Sequence, residues 1–117
     1  MTAKETQMAG FICPFVQSKT IIQFYYVDSS NDNSDWRIVE PHLIGILKTT
    51  GNAALAAWFL PTQVQLQNGE TQGWRLYLLD NISTVSSSNR HYTRTRPGYN
   101  PNDSRMSRII CRTALTR

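Results

Sequence analysis

The chain has 117 residues, enough for one domain with one modest core. Its composition is ordinary for a globular protein, and no apolar run approaches the roughly 18 residues that a membrane span needs. The net charge of +4 is unevenly placed: residues 1–86 hold five Lys/Arg against seven acids, and residues 87–117 hold seven arginines and one acid, Asp103. Such asymmetry suits either an anionic partner or a solvated tail.

Residues 1–10 read as a frayed start, too polar and interrupted for a signal peptide, so a cytoplasmic protein is expected. "FICPFVQSK" reads as a short helix with Pro14 in its first turn. In a reducing compartment Cys13 and Cys111 are expected to be free buried thiols, with a bridge between the two ends of the chain as the alternative; they sit in no metal-ligand spacing. "TIIQFYYV" is a strand with Ile22, Phe24 and Tyr26 on one face. "DSSNDNSD" is a loop whose side chains cap their own turns.

"DWRIVEPHLIG" is the next strand. Alternation puts Arg37, Val39, Pro41 and Leu43 on one face and Ile38, Glu40, His42 and Ile44 on the other. Pro41 has no N–H to give a ladder, so it marks an edge, a bulge or a bend. "KTTGN" is a turn around Gly51. "AALAAWFLPT" has helix-favouring alanines but is short and ends in Trp58 and Phe59, which makes it a strand. "QVQLQNGETQG" reads as a hairpin tip or a long loop. "WRLYLLD" is a strand with Trp74, Leu76 and Leu78 opposed to Arg75, Tyr77 and Leu79, and "NISTV" continues it or pairs with it. Beyond Ser86 the chain is polar and Arg-rich, and "MSRIICRTAL" reads as a last strand or a short helix.

The expected fold is mainly β, a small barrel of about five strands. It divides into a helical lead-in (1–19), the barrel (20–86) and a basic C-terminal extension (87–117). No nucleophile elbow, phosphate-cradling loop or carboxylate pair is present, so no enzyme and no cofactor are expected. His42 beside Glu40 reads as structural. The binding chemistry is fuller. Arg37 and Arg75 each head an apolar strand beside a tryptophan, and a guanidinium can fork two bonds to a phosphate or carboxylate. The competing reading makes Trp36, Trp58 and Trp74 core residues and pairs the arginines with Glu40 and Asp80.

These same pieces resemble a known family. "IIQFYYV" ending at Tyr26, "RIVEP" with Arg37 and Pro41, and "WRLYLLDNI" with Arg75, Tyr77, Asp80 and Ile82 are similar, in that order, to the WYL domain of bacteria and phages. The resemblance covers about residues 20–86 and implies an SH3/Sm-like barrel that senses ligands. The naming Trp-Tyr-Leu triplet would follow the Gly51 turn at Ala53, Ala54 and Leu55, where the leucine alone matches. Trp58-Phe59-Leu60 matches better by letter but lies further on. Leu78 and Asn81 stand where the family often carries arginines.

The resemblance implies a non-enzymatic regulatory module binding a nucleotide, an oligonucleotide or another anion. Its ligand-binding residues would be Tyr26, Arg37, Trp58, Trp74, Arg75, Tyr77 and Asn81. Residues 1–19 are too few for a helix-turn-helix, so a separate DNA-binding or effector partner is expected. The alternatives are nonspecific nucleic-acid binding through Arg90, Arg94 and Arg96, and a structural barrel that oligomerises through its edges.

Overall fold

The computed structural model describes residues 1–28 and 34–116. The fold is mainly β: six antiparallel strands in one barrel-like sheet, with one N-terminal helix. The strands are β1 (Thr20–Tyr26), β2 (Asp35–Leu47), β3 (Ala53–Phe59), β4 (Gly73–Leu78), β5 (Ile82–His91) and β6 (Met106–Arg112). They run in the order β4-β3-β2-β1-β5, and β6 pairs with β2. Most of the loop expected over "DSSNDNSD" lies outside the described residues.

β2 organises the sheet because it changes partners along its length. Asp35 to Val39 pair with β1, and Leu43 to Leu47 pair with β6. Pro41 sits in the gap between those two ladders, where a missing N–H costs no strand bond. On the other edge the pairing with β3 slips between Pro41 and Leu43. This bulge reverses the alternation expected from the sequence. Val39 lies in the main core, but beyond the slip it is Ile44 that returns there, and Leu43 packs on the opposite face with Ala56 and Met106.

The alanine-rich β3 is a strand because it is central, paired on both edges and buried almost throughout. Its small side chains let neighbouring layers approach closely. The same reasoning explains Gly45 on β2. A Cβ there would lie 2.8 Å from Met106 Cγ and 2.9 Å from the Arg108 carbonyl oxygen. Gly45→Ala should therefore lower stability by about 2 kcal/mol, the usual scale of overpacking. Urea unfolding measures this, and an unchanged midpoint would contradict the close approach.

The start of the chain differs from expectation. Helix α1 spans Ala3–Gln17, so residues 3–10 are helical rather than frayed, and Pro14 stands in the last turn instead of the first. The cause is a capping box. Thr2 Oγ1 accepts from the Glu5 N–H at 3.0 Å, and Glu5 Oε1 accepts from the Thr2 N–H at 2.8 Å. Glu5 also accepts the buried Ala53 N–H at 2.7 Å, which ties the helix to β3. The hydrogen bond from the Thr2 backbone, ahead of the opposing effect of burial, holds the Glu5 carboxyl below its ordinary pKa. Ala9, Ile12 and Val16 complete the apolar stripe that packs into the core.

The cysteines are not free: Cys13 on α1 is bonded to Cys111 on β6 across 98 residues of chain. A second short helix, α2 (Gln63–Gln67), replaces the expected hairpin tip or loop. It is started by another capping box, Thr62 with Gln65. Gln65 Nε2 donates to Asp35 Oδ2 at 3.1 Å and to the Trp36 carbonyl at 2.8 Å, so α2 is fastened to the beginning of β2.

β5 runs through Ser86 to His91, with bulges marked by positive φ at Thr84 and Asn89. The segment from Tyr92 to Arg105 then crosses the outer face of the sheet before β6 returns to β2. No helix among the described residues is long and apolar enough to cross a membrane.

Candidate functional site

Alternation along β3 and β4 divides the aromatic and cationic residues between two faces. Ala57 pairs with Arg75 and Leu55 with Tyr77, which turn toward the core side with Phe59. Trp58 pairs with Trp74, and both turn to the outer side. Two distinct sites result.

The inner site is a cleft of about 230 Å³ at the mouth of the sheet, lined among others by Tyr26, Arg37, Phe59, Glu70, Arg75 and Tyr77. Both arginines converge on one ring: the guanidinium carbons of Arg37 and Arg75 lie 5.3 and 5.5 Å from the Phe59 centroid. Arg37 is 8% exposed and donates through Nη1 to Glu70 Oε1 at 2.7 Å. Glu70, whose side chain is 34% exposed, follows α2, so α2 positions the partner of Arg37. Arg75 is exposed and donates to the carbonyls of Trp74 (2.9 Å) and Thr71 (2.8 Å). No carboxylate pairs with it among the described residues.

Two tyrosines close the cleft. Tyr26 and Tyr77 meet edge to face at 5.0 Å, and each also meets Phe24. The Tyr26 hydroxyl accepts the Leu78 N–H at 3.1 Å, which fixes it at the rim of β4. Burial pushes the Tyr77 phenol well above its ordinary pKa, so it stays a neutral donor.

The outer site gathers the other aromatics. Trp74 meets Trp58, His42 and Tyr99, and Tyr92 stacks on His42. Arg96 lies 5.0 Å over the Trp58 ring and pairs with the buried Glu40 through two bonds of 2.7 and 3.0 Å. The arginine that meets Glu40 is thus Arg96, not Arg37. Asp80 is held by Thr2 and Lys4 at the start of α1, away from Arg75. Trp36 is 43% exposed against Tyr25 and is not a core residue.

The sequence-derived ligand set therefore divides. Tyr26, Arg37, Arg75 and Tyr77 come together in the inner cleft; Trp58 and Trp74 lie on the opposite face of the sheet. Asn81 lies in the 3-10 turn after β4, where its carbonyl accepts the Val27 N–H. Of the C-terminal arginines, Arg96 is engaged with Glu40, Arg94 lines a separate groove beside His91 and Tyr92, and Arg90 is exposed on β5. Phe59 and Glu70 belong to the cleft and were not signalled by the motifs. Among the described residues no group of three or more His, Cys, Asp or Glu is placed to hold a metal.

No protein-family model matches the chain, and no curated protein does. Among solved structures, the chain is similar to proteasome accessory factor B/C (PafBC) of Arthrobacter aurescens, with a TM-score of 0.61 and 19% identity. The likeness supports a WYL-like fold. The match covers 80% of this chain and 13% of that one, so the chain corresponds to a small part of the larger protein.

Proposed function

We propose that this chain is a regulatory module without catalytic chemistry, in which the inner cleft senses a small anionic ligand such as a nucleotide or the terminal phosphate of an oligonucleotide. The observation that carries this reading is the convergence of Arg37 and Arg75 on Phe59 between two tyrosines. Guanidinium forks recognise phosphate or carboxylate, and the flat rings offer a base a stacking surface. The likeness of fold to part of a proteasome accessory factor is in keeping with a regulatory role.

The Arg37–Glu70 pair supplies the switch. An anion entering the cleft competes with Glu70 for Arg37. Displaced, Glu70 moves with the turn that follows α2. Occupancy thereby changes the surface around α2, which a separate DNA-binding or effector protein reads.

Calorimetric titration with 5′-phosphorylated tetrathymidylate at low salt tests this. Arg75→Ala should weaken binding about tenfold, the scale of one or two charge-assisted hydrogen bonds. Glu70→Gln should tighten it severalfold by removing the competitor. Failure of the wild type to bind, or indifference to Arg75→Ala, overturns the reading. If Arg75→Ala weakens binding but Glu70→Gln does not strengthen it, the competitive switch is wrong.

A further inference from the structure

The outer face holds a second cavity, separate from the inner cleft and larger, at about 360 Å³. That volume is at the lower end of small-molecule sites, which start at about 300 Å³. Its floor is apolar: Leu43 and Ala56, paired across β2 and β3. Its walls include Trp74 and Tyr99, whose rings are nearly parallel at 24° with centroids 6.2 Å apart.

Both rings are held at their polar ends. Trp74 Nε1 donates to the Pro97 carbonyl at 2.8 Å. The Tyr99 hydroxyl lies 3.1 Å from the His42 carbonyl and 2.8 Å from that of Thr113. The Tyr99 phenol is pushed up to about 12, mainly by burial, so it stays neutral. Rings fixed this way need little ordering when a ligand arrives.

The rim is fastened too. Arg112 Nη1 donates to the Pro101 carbonyl and to Asn102 Oδ1, and the Lys48 N–H donates to the Arg105 carbonyl. Asp103 is occupied by Arg105, which reaches it through its backbone N–H, Nε and Nη2. That pairing leaves the rim with donors: Arg105 Nη1, the Asn100 amide and the Ser104 hydroxyl. Asn100 uses its Oδ1 to accept the Asn102 N–H, which leaves the amide NH₂ for a ligand.

An apolar floor, flat walls and a rim of donors fit one class of molecule. We propose that this cavity binds a small planar aromatic carboxylate, its ring against Leu43, Ala56, Trp74 and Tyr99 and its carboxylate at Arg105, Asn100 and Ser104. A neutral arene meets the floor and walls but leaves the donors without an acceptor; an aliphatic acid meets the donors but forfeits the ring contacts. The C-terminal segment supplies the Tyr99 wall and the rim, which gives that segment a purpose beyond carrying charge.

The probe is 2-naphthoate, followed by two-dimensional NMR on the full chain. Saturable shifts are expected at Ala56, Gly98 and Asn100. Arg105→Gln, at an exposed side chain, should weaken naphthoate about tenfold while leaving the affinity for neutral 2-naphthalenemethanol within twofold, since about 1.4 kcal/mol of charge-assisted bonding is lost from the acid alone. Ala56→Leu, which fills the floor, should abolish binding of both. If it also perturbs the fold by circular dichroism, the Arg105→Gln comparison decides alone. Absence of saturable binding, shifts centred on Tyr26, Phe59 and Tyr77, or equal losses for acid and alcohol on Arg105→Gln would each overturn the proposal.

Discussion

Reduction of the Cys13–Cys111 bridge is expected to lower the stability of the fold by about 4 kcal/mol. The bridge closes a loop of 98 residues, nearly the whole chain. In the chain-entropy account, a loop of about 100 residues is worth close to 5 kcal/mol, because the cross-link removes open conformations from the unfolded state. A small domain has only about 5–15 kcal/mol in total, so the loss is a large share.

The bridge also fastens the first and last elements of the fold to each other. α1 packs on the core through Ala9, Ile12 and Val16, and β6 is held mainly along β2. Urea unfolding with and without reductant measures the effect, and Cys111→Ser should reproduce it. The unreduced protein, denatured, should titrate no free thiol. A change under about 1 kcal/mol would mean that α1 and β6 are held well enough without the bond.

Much of the sheet was legible because strands are written in alternation. β1, β4 and the first half of β2 follow it directly, and β3 was recognisable from its length and aromatic end despite its alanines. Pro41 marked an edge, a bulge or a bend, and a bulge lies beside it. The proline did not say that the slip would send Leu43 outward and Ile44 inward, because that is set by the pairing with β3. The two helix starts were also on the page. Thr2-Lys4-Glu5 and Thr62-Val64-Gln65 each place a Thr three residues before a Glu or Gln, the spacing of a capping box. The bridge was legible only as an alternative to free thiols, since nothing in a separation of 98 residues says that two cysteines meet.

The candidate site was legible in part for the same reason. Tyr26, Arg37, Arg75 and Tyr77 converge because each strand presents them on the core side. Trp58 and Trp74 were separable from them by the period of two: each is the immediate neighbour of a cleft residue, Phe59 or Arg75, and so points the other way. Glu70 was hidden because it reaches Arg37 from a turn whose position depends on α2. The C-terminal arginines read as a charged extension, but Arg96 on Glu40 and Arg112 on the turn at Pro101 fasten the chain itself, and Arg105 spends its backbone N–H, Nε and Nη2 on Asp103. Charge counts cannot tell an arginine that binds a partner from one that fastens its own chain.

His42 leads to the second large effect, a loss of stability in mild acid. It is fully buried beside three aromatic rings. Its Nδ1 lies 2.8 Å from the Glu40 carbonyl, which can only accept, so Nδ1 carries the proton. Its Nε2 accepts the Arg96 backbone N–H at 3.2 Å. A second proton has no acceptor to go to and would face that N–H. Burial, ahead of the Glu40 hydrogen bond and charge that oppose it and the Arg96 and Lys19 charges that assist it, lowers the pKa from the ordinary 6.5 to about 4.

The unfolded chain therefore takes up a proton near pH 6.5, and the folded chain does not until about pH 4. Stability is full above pH 6.5 and falls as pH drops through that window, by about 3 kcal/mol at the lower end. Thermal or urea unfolding between pH 7 and 4.5 should show this slope. His42→Asn, which cannot protonate, should start less stable at pH 7 yet lose little over the same range. Glu5 and Asp103, whose folded pKa values lie below the carboxylate range, add their own losses only at more acid pH. A wild type that is flat over this window, or a variant with an unchanged slope, would remove His42 as the cause.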